Sequence, residues 1–256
     1  MRNVVILAGK ELKLYFVSPV VYVLGAVFLA ICDYLFFSQV YFYSTMATQM
    51  MRFQGNMPQL NIHQAVFRPT FMNMSIILLL MVPILTMRLF AEEKKGKTSE
   101  LLMTSPLRIT EIVLGKFLAA WLVLLLLLVM TLHLPVLLSL FSPVTWRPLI
   151  SSYLGLSLMG AVFISFGLFA SSVTENQMIA AALGFGILIG FWLLGATAQA
   201  DNASVFSQVL SYLAMAEHLD NMVKGLIDTK DVTYFVSMMT AGLFMTHRVV
   251  ESQRWK

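Results

Sequence analysis

A chain of 256 residues that is 59% hydrophobic and only 12% charged lacks the charged surface of a water-soluble domain, which runs at about 25% charged. A mean hydropathy of +0.80 excludes a disordered chain, and a net charge of +4 with a pI near 9.2 is too small to mark a nucleic-acid-binding protein. One cysteine, Cys32, excludes an intramolecular disulfide framework and a cysteine-cluster metal site, and no cleavable leader is expected before the first apolar run.

Residues 2–16 read as an amphipathic helix. At 100° per residue Arg2, Asn3, Gly9, Lys10 and Lys13 share one side, and Val4, Val5, Leu7, Ala8, Leu12, Leu14, Tyr15 and Phe16 are assigned to the other, with Ile6 and Glu11 as exceptions. Such a helix can lie in the headgroup plane with its lysines toward anionic lipid, or pack as an ordinary amphipathic helix. Pro19 ends it.

Six membrane spans follow, each judged against the roughly 20 apolar residues that cross a hydrocarbon core. They are predicted at 20–37, 71–90, 112–140, 149–170, 178–198 and 232–246, giving an all-α integral membrane protein. The first is interrupted only by Asp33, placed near its outer end. The second contains Pro83 and the third Pro135. The fourth and fifth are rich in Gly, Ala and Ser, which let helix backbones approach closely. The sixth is short, its 15 residues giving about 22 Å. Residues 38–70 and 199–231 are expected outside. The latter carries Phe206, Val209, Leu210, Leu213 and Leu219 at helical spacing, so one or two short outer helices are expected before the last span.

Charge placement supports six crossings. One side then holds Arg2, Lys10, Lys13, Arg88, Lys94, Lys95, Lys97, Arg108, Lys116, Arg248, Arg254 and Lys256, twelve of the seventeen Lys and Arg. The positive-inside rule puts that side, and both termini, in the cytoplasm. Without the sixth crossing the bias shrinks to nine against eight.

The one dense charge cluster is the inward segment 91–106 together with Arg88, which precedes it. Its Gly96-Lys97-Thr98 imitates the end of a phosphate-binding loop, but the Gly required five residues before Gly96 is Ala91. The strand-loop-helix setting of such a loop is also missing. A short docking helix fits better: Thr98 or Ser99 caps it, Glu100 sits in its first turn, Leu101, Leu102 and Met103 supply apolar contacts, and Pro106 stops it. An ordinary positive loop that fixes topology fits the composition equally. Candidate catalytic groups are sparse. His63, His133, His218 and His247 have no ligand-like spacing. Asp33 and His133 are the intramembrane polar candidates, with a structural role open for both.

Several fragments, in order, resemble the ABC-2 family of ATP-binding-cassette permeases, closest to the bacterial branch of gliding-motility-type and nitrous-oxide-reductase-maturation-type permeases. Lys10-Glu11-Leu12 through Ser18-Pro19 and Tyr22 is similar to the family's elbow helix and first span. Met87 to Pro106 resembles its coupling segment, continued by Glu111 to Lys116. Ser171 to Gln177, with Thr174, Glu175 and Asn176 at its centre, resembles the turn between the fourth and fifth helices. His218 to Tyr234 and Glu251 to Trp255 fit the same branch. The family pattern reads Gly-Thr after the basic pair, whereas here Lys97 separates Gly96 from Thr98.

The resemblance implies a half-transporter in the bacterial inner membrane that carries no hydrolytic residue and no cofactor of its own. ATP and Mg would be held by separate cytoplasmic ATPase subunits. A second permease, identical or homologous, would complete the pathway, surrounded by membrane lipids and with room for an accessory protein bearing a periplasmic domain. Glu92, Glu93, Lys94, Gly96 and Glu100 would make the polar contacts to the ATPase, and Leu101 and Leu102 would fill an apolar recess. The elbow residues Lys10, Glu11 and Lys13 would move with them. A non-transporting membrane anchor and a membrane-embedded enzyme are the other classes. The enzyme would need a convergent set of acids and histidines at one depth.

Overall fold

The computed structural model describes residues 2–52, 61–98, 107–198 and 212–253, and every regular element among them is helical. In chain order these are α1 (Arg2–Val17), α2 (Pro19–Arg52), a π-turn (His63–Phe67) running into α3 (Arg68–Thr86), α4 (Arg88–Lys95), α5 (Ile109–Met130), α6 (His133–Ser139), α7 (Trp146–Val173), α8 (Gln177–Ala198), α9 (Met215–Val223) and α10 (Thr229–Gln253). Five stretches among the described residues are long and apolar enough to cross a membrane: Pro19–Gln49, His63–Lys95, Ile109–Ser139, Trp146–Val173 and Gln177–Leu194.

The core is built around α7, against which α3, α5, α8, α9 and α10 pack. Its sequence explains this central place. Gly155, Gly160 and Gly167 admit close neighbours, and Ser151, Ser152, Ser165, Ser171 and Ser172 are buried with them. A Cβ at Gly167 would lie 2.2 Å from Thr86 Oγ1 of α3, so only glycine allows that crossing. Without a hydrophobic drive between helices in lipid, such close contact is what holds spans together.

Helix α10 runs parallel to α7. Gly242 abuts Ser165 midway, and Gln253 Nε2 donates to the Ser172 carbonyl at 3.0 Å at the far end. The predicted 15-residue segment is therefore part of a 25-residue helix of about 37 Å. Polar residues at both ends, from Thr229 to Asp231 and from His247 to Gln253, hide its length from a hydropathy scan.

Other boundaries also differ. Helix α2 does not stop at residue 37 but runs to Arg52, because no glycine or proline interrupts the chain between Gly25 and Gly55. Asp33 is consequently well inside α2 rather than near its outer end. The second span begins earlier than residue 71, since helical structure already covers His63–Phe67. The third breaks at Thr131–Leu132. Pro135 has no N–H to give the Thr131 carbonyl and its ring crowds that carbonyl, so α5 ends and α6 starts afresh.

Candidate functional site

Helix α4 is short, strongly charged on one side and apolar on the other. It buries Leu89, Phe90 and Ala91 and exposes Glu92 and Lys95. It follows α3 after a break at Met87, which leaves the first N–H groups of α4 without intrahelical acceptors. Ser171, near the end of α7, supplies the acceptor. Its Oγ receives Phe90 N–H at 3.1 Å and Ala91 N–H at 3.2 Å while donating to the Met87 carbonyl at 2.9 Å. Lys94 Nζ donates to the next carbonyl, that of Ser172, which also accepts from Gln253. The end of α7 is thus the seat for both α4 and the end of α10.

On its other flank α4 is tied to α1 and α5 through Lys116. This side chain is fully buried on α5, with Nζ 3.1 Å from Glu11 Oε1 and 2.8 Å from Glu93 Oε1, and it lies 5.2 Å over the Phe90 ring. Glu11, the exception to the amphipathic pattern of α1, is therefore a buried partner and not a misplaced surface acid. Leu7 of the same helix sits on Gly115, where a Cβ would come within 2.9 Å of it.

Further bonds fix α1. Asn3 Nδ2 donates to both oxygens of Glu111, which caps α5 by accepting Arg108 N–H at 3.0 Å. Tyr15 donates its hydroxyl to the Leu85 carbonyl at 3.0 Å, next to the α3–α4 break, and Arg88 donates to Ser18 Oγ at 3.0 Å. Burial, reinforced by the Glu11 carboxylate, pushes the Tyr15 phenol above its ordinary pKa, so it stays a donor. Lys10 and Lys13 of α1 are exposed.

The end of α4 explains the extra lysine. Gly96 N–H bonds to the Glu92 carbonyl, Lys97 N–H to Lys94 and Thr98 N–H to Glu93, at 2.9, 3.0 and 3.0 Å. This is the paired-bond helix terminus in which the residue after the cap is left-handed. Lys97 occupies that position with φ 54°, and Gly96 keeps a right-handed φ of −81°. The docking helix expected at Ser99, Glu100, Leu101, Leu102, Met103 and Pro106 lies outside the described residues.

At the α7–α8 connection, Thr174 Oγ1 accepts Asn176 N–H and Asn176 Oδ1 accepts Met178 N–H, at 3.2 and 2.9 Å, which folds Thr174, Glu175 and Asn176 into a tight exposed turn. At the other end of the molecule, Arg68 grips Asp220 with two bonds of 2.7 and 3.0 Å, and Lys224 adds a third contact at 2.6 Å. Burial would push the Asp220 carboxyl up, but the hydrogen bonds from Arg68 and Lys224 outweigh it and hold it below its ordinary range. His218 pairs with Asp231 at 2.6 Å and donates or accepts nothing toward Asp220. The structure also brings together Asp33 and His133, with Nε2 3.1 Å from Oδ1. The contact lacks hydrogen-bond alignment, since Asp33 Oδ1 has no hydrogen-bond partner among the described residues.

Sequence patterning missed Lys116, Ser171 and Tyr15 as members of this site. A lysine one turn into an apolar span was the available signal for the first; a lone serine in a small-residue helix gives none.

The geometry is that of a charged helix hung between an N-terminal helix and the end of a membrane bundle. The family profile for ABC-2 family transporter proteins matches residues 5–250. The chain belongs to the ABC-2 transporter family. No curated protein matches it closely enough to add a nearer relative. Proteins of the ABC-2 family are transmembrane, non-catalytic components that typically pair with ATPase subunits, and the apolar helices of this ABC-2 protein make it a multi-pass membrane protein.

Proposed function

We propose that the chain is the permease subunit of an ATP-binding-cassette transporter, driven by separate cytoplasmic ATPase subunits that hold the ATP and Mg. Family membership supports the general role. The observation that carries the mechanical part is the buried Lys116 bridge, which joins α1, α4 and α5 in one unit next to the Ser171 seat. A force on the segment after α4 would reach α1 through Glu93 and Lys116, and α7 through Ser171 and Ser172. ATP-driven closure moves such a unit only if the ATPase binds its two positions with different affinity.

In this arrangement α1 is the elbow, segment 91–106 docks on the ATPase, and Arg88, Glu92, Glu93 and Lys94 fix its angle. Helix α10 is the sixth span, both termini are cytoplasmic, and α9 with residues 199–211 shapes the outer exit. The membrane is a bacterial inner membrane, and the nearest branch is the gliding-motility and nitrous-oxide-maturation type. A second permease covers the sparsely packed faces of α2 and α8, where Val23, Val27, Ile179 and Leu183 are exposed.

The test is co-purification of the chain with its ATPase and nucleotide-dependent substrate movement in proteoliposomes. Leu101→Asp with Leu102→Asp should abolish both. Unchanged association and transport would remove the docking segment from the mechanism. ATPase association without any nucleotide-dependent movement would favour a membrane anchor.

A further inference from the structure

His218 of α9 has a hydrogen-bond partner at each ring nitrogen. Nδ1 is 2.6 Å from Asp231 Oδ1 at the start of α10, and Nε2 is 2.9 Å from the Tyr212 carbonyl oxygen, just before α9. Both side chains are buried, with His218 7% and Asp231 2% exposed. The imidazole lies flat on the Tyr234 ring, 4.0 Å between centroids and 16° between planes, with Tyr212 edge-on to it. Tyr234 in turn donates its hydroxyl to the Leu213 carbonyl at 2.7 Å. The stacked pair therefore grips two successive carbonyls of the chain entering α9.

The partners fix the number of protons. A carbonyl oxygen only accepts, so Nε2 carries a proton. A neutral ring would then present the bare lone pair of Nδ1 to a carboxylate oxygen, two acceptors 2.6 Å apart. The contact is attractive only with a second proton between them. Asp231 lies in the first turn of α10, where the helix dipole favours the ionised carboxylate, and the face of Tyr234 suits a cation. Both place that second proton on the ring. Asp231 Oδ2 is buried with no hydrogen-bond partner among the described residues, so the carboxylate needs the imidazolium as its counter-charge.

The neighbouring elements offer no substitute. Helices α3, α7, α8 and α10 pack on α9. Arg68, the one charged residue of α3, closes on Asp220 together with Lys224 of α9 itself. Helix α8 has no ionisable residue, and α7 has Arg147 at its exposed start and Tyr153, which is bonded to Thr131. Lys230 of α10 is exposed, and His247, Arg248 and Glu251 are at its far end. Glu217 of α9 and Asp228 before α10 are acids and add to the demand for a cation.

We propose that His218 and Asp231 form a proton-binding site whose proton latches residues 212–213 to α9 and α10. Without it the ring has one N–H for two acceptors, so either the Tyr212 carbonyl or the Asp231 carboxylate is let go. The latch is closed with the proton bound and opens as pH rises. The inference does not require the ATPase; it rests on the topology proposed above only for the side from which the proton comes.

The experiment uses the full chain in detergent, titrated from about pH 5 to about pH 9, the range in which histidines change charge. Ring protonation is read by NMR of ¹⁵N-labelled histidine, with the His218 signal assigned by its absence from the His218→Gln chain. Amide protection around residues 212–216 is read by hydrogen exchange, corrected for the intrinsic pH dependence of the rate. His218 should carry two ring protons at the acid end and lose one on alkalinisation. In the same step protection of 212–216 should fall about tenfold, as for a lost bond to a charged group, with the middle of α7 unchanged. Asp231→Asn should keep the protection and abolish the step, because the amide Nδ2–H donates to the bare Nδ1 of a neutral ring. A ring whose proton count is constant over the range, a titration with no change in protection, or the same step in Asp231→Asn overturns the proposal. The titration of the unmodified chain by hydrogen exchange decides the latch even where a variant does not fold.

Discussion

Lys116 of α5 and Glu93 of α4 meet at 2.8 Å with the lysine fully buried, and Glu11 of α1 approaches the same nitrogen from the other side at 3.1 Å. Two carboxylates around one ammonium leave a surplus negative charge, so the lysine is the member whose loss is least tolerable. Lys116→Met should destabilise the protein by about 3–5 kcal/mol, because it leaves two acids facing each other in a dry site. Glu93→Gln should cost less, since Glu11 still neutralises the lysine. The combined Lys116→Met, Glu11→Gln, Glu93→Gln variant should recover much of the loss. Thermal unfolding in detergent measures all three, and a triple variant as unstable as the single one would show that charge is not the cause.

Ser171 leads to a second prediction. Its hydroxyl is the acceptor for two N–H groups at the start of α4 and a donor to Met87, three bonds that no other described side chain supplies. Ser171→Ala should cost about 1–3 kcal/mol, the desolvation of buried donors left unpaired. The local signature is faster amide exchange at Phe90 and Ala91, with α5 and α10 unchanged. Uniform loss of protection across the bundle would instead indicate a global packing role.

How far the sequence disclosed this site can be judged from the same residues. Span positions follow from runs of apolar residues, and α5, α7 and α8 lie close to where those runs put them. Helix ends follow from breakers and polar tails, which is why α2 and α10 extend beyond their apolar stretches. Glu11 stood out as a defect in the amphipathic pattern of α1, but its partner is 105 positions away on α5, and periodicity carries no information about that distance. Asp33 and His133 were separately conspicuous as polar residues in spans, yet nothing in their spacing announced that they meet. Ser171 was invisible because small residues in a span are explained by packing alone.

The crossing of α3 and α7 depends on the absence of one side chain. Gly167→Ala should push the helices apart at Thr86, whose Oγ1 would sit 2.2 Å from the new Cβ. The expected loss is about 1–3 kcal/mol, the usual range for overpacking. Thr86→Ala in the same chain removes the nearest atom and should restore part of it. Additive losses in the double variant, measured by thermal unfolding, would mean that this contact does not set the crossing.

At the outer end, the Arg68–Asp220–Lys224 cluster fastens α9 to the beginning of α3. Because its folded-state carboxyl is held below the ordinary value, Asp220 contributes stability that is present above the unfolded-state pKa of about 3.9. That contribution is lost as pH falls through the depressed folded value. Acidification should therefore release α9 at a pH below the ordinary carboxylate range, and Asp220→Asn should remove this acid-dependent component. A fluorescent label at Asn221, exposed on α9, would report the release. An acid transition of the same size and midpoint in the Asp220→Asn chain would assign it to another group.

The end of α4 offers the opposite kind of change, a gain. Lys97 holds the left-handed position with φ 54°, while the glycine that could occupy it freely stands one residue earlier. For a residue with a Cβ this conformation costs about 1–2 kcal/mol. Lys97→Gly should therefore stabilise the terminus, partly offset by the greater freedom glycine has in the unfolded chain. The three bonds from Gly96, Lys97 and Thr98 back to α4 remain available, since all come from the backbone. Gly96→Ala should lose stability, because the added Cβ would meet the Glu92 carbonyl at 3.3 Å. Amide exchange of Thr98 separates the cases: slower in Lys97→Gly, faster in Gly96→Ala. If Lys97→Gly accelerates exchange instead, the lysine side chain, and not the backbone angle, is what holds the end of α4 in place.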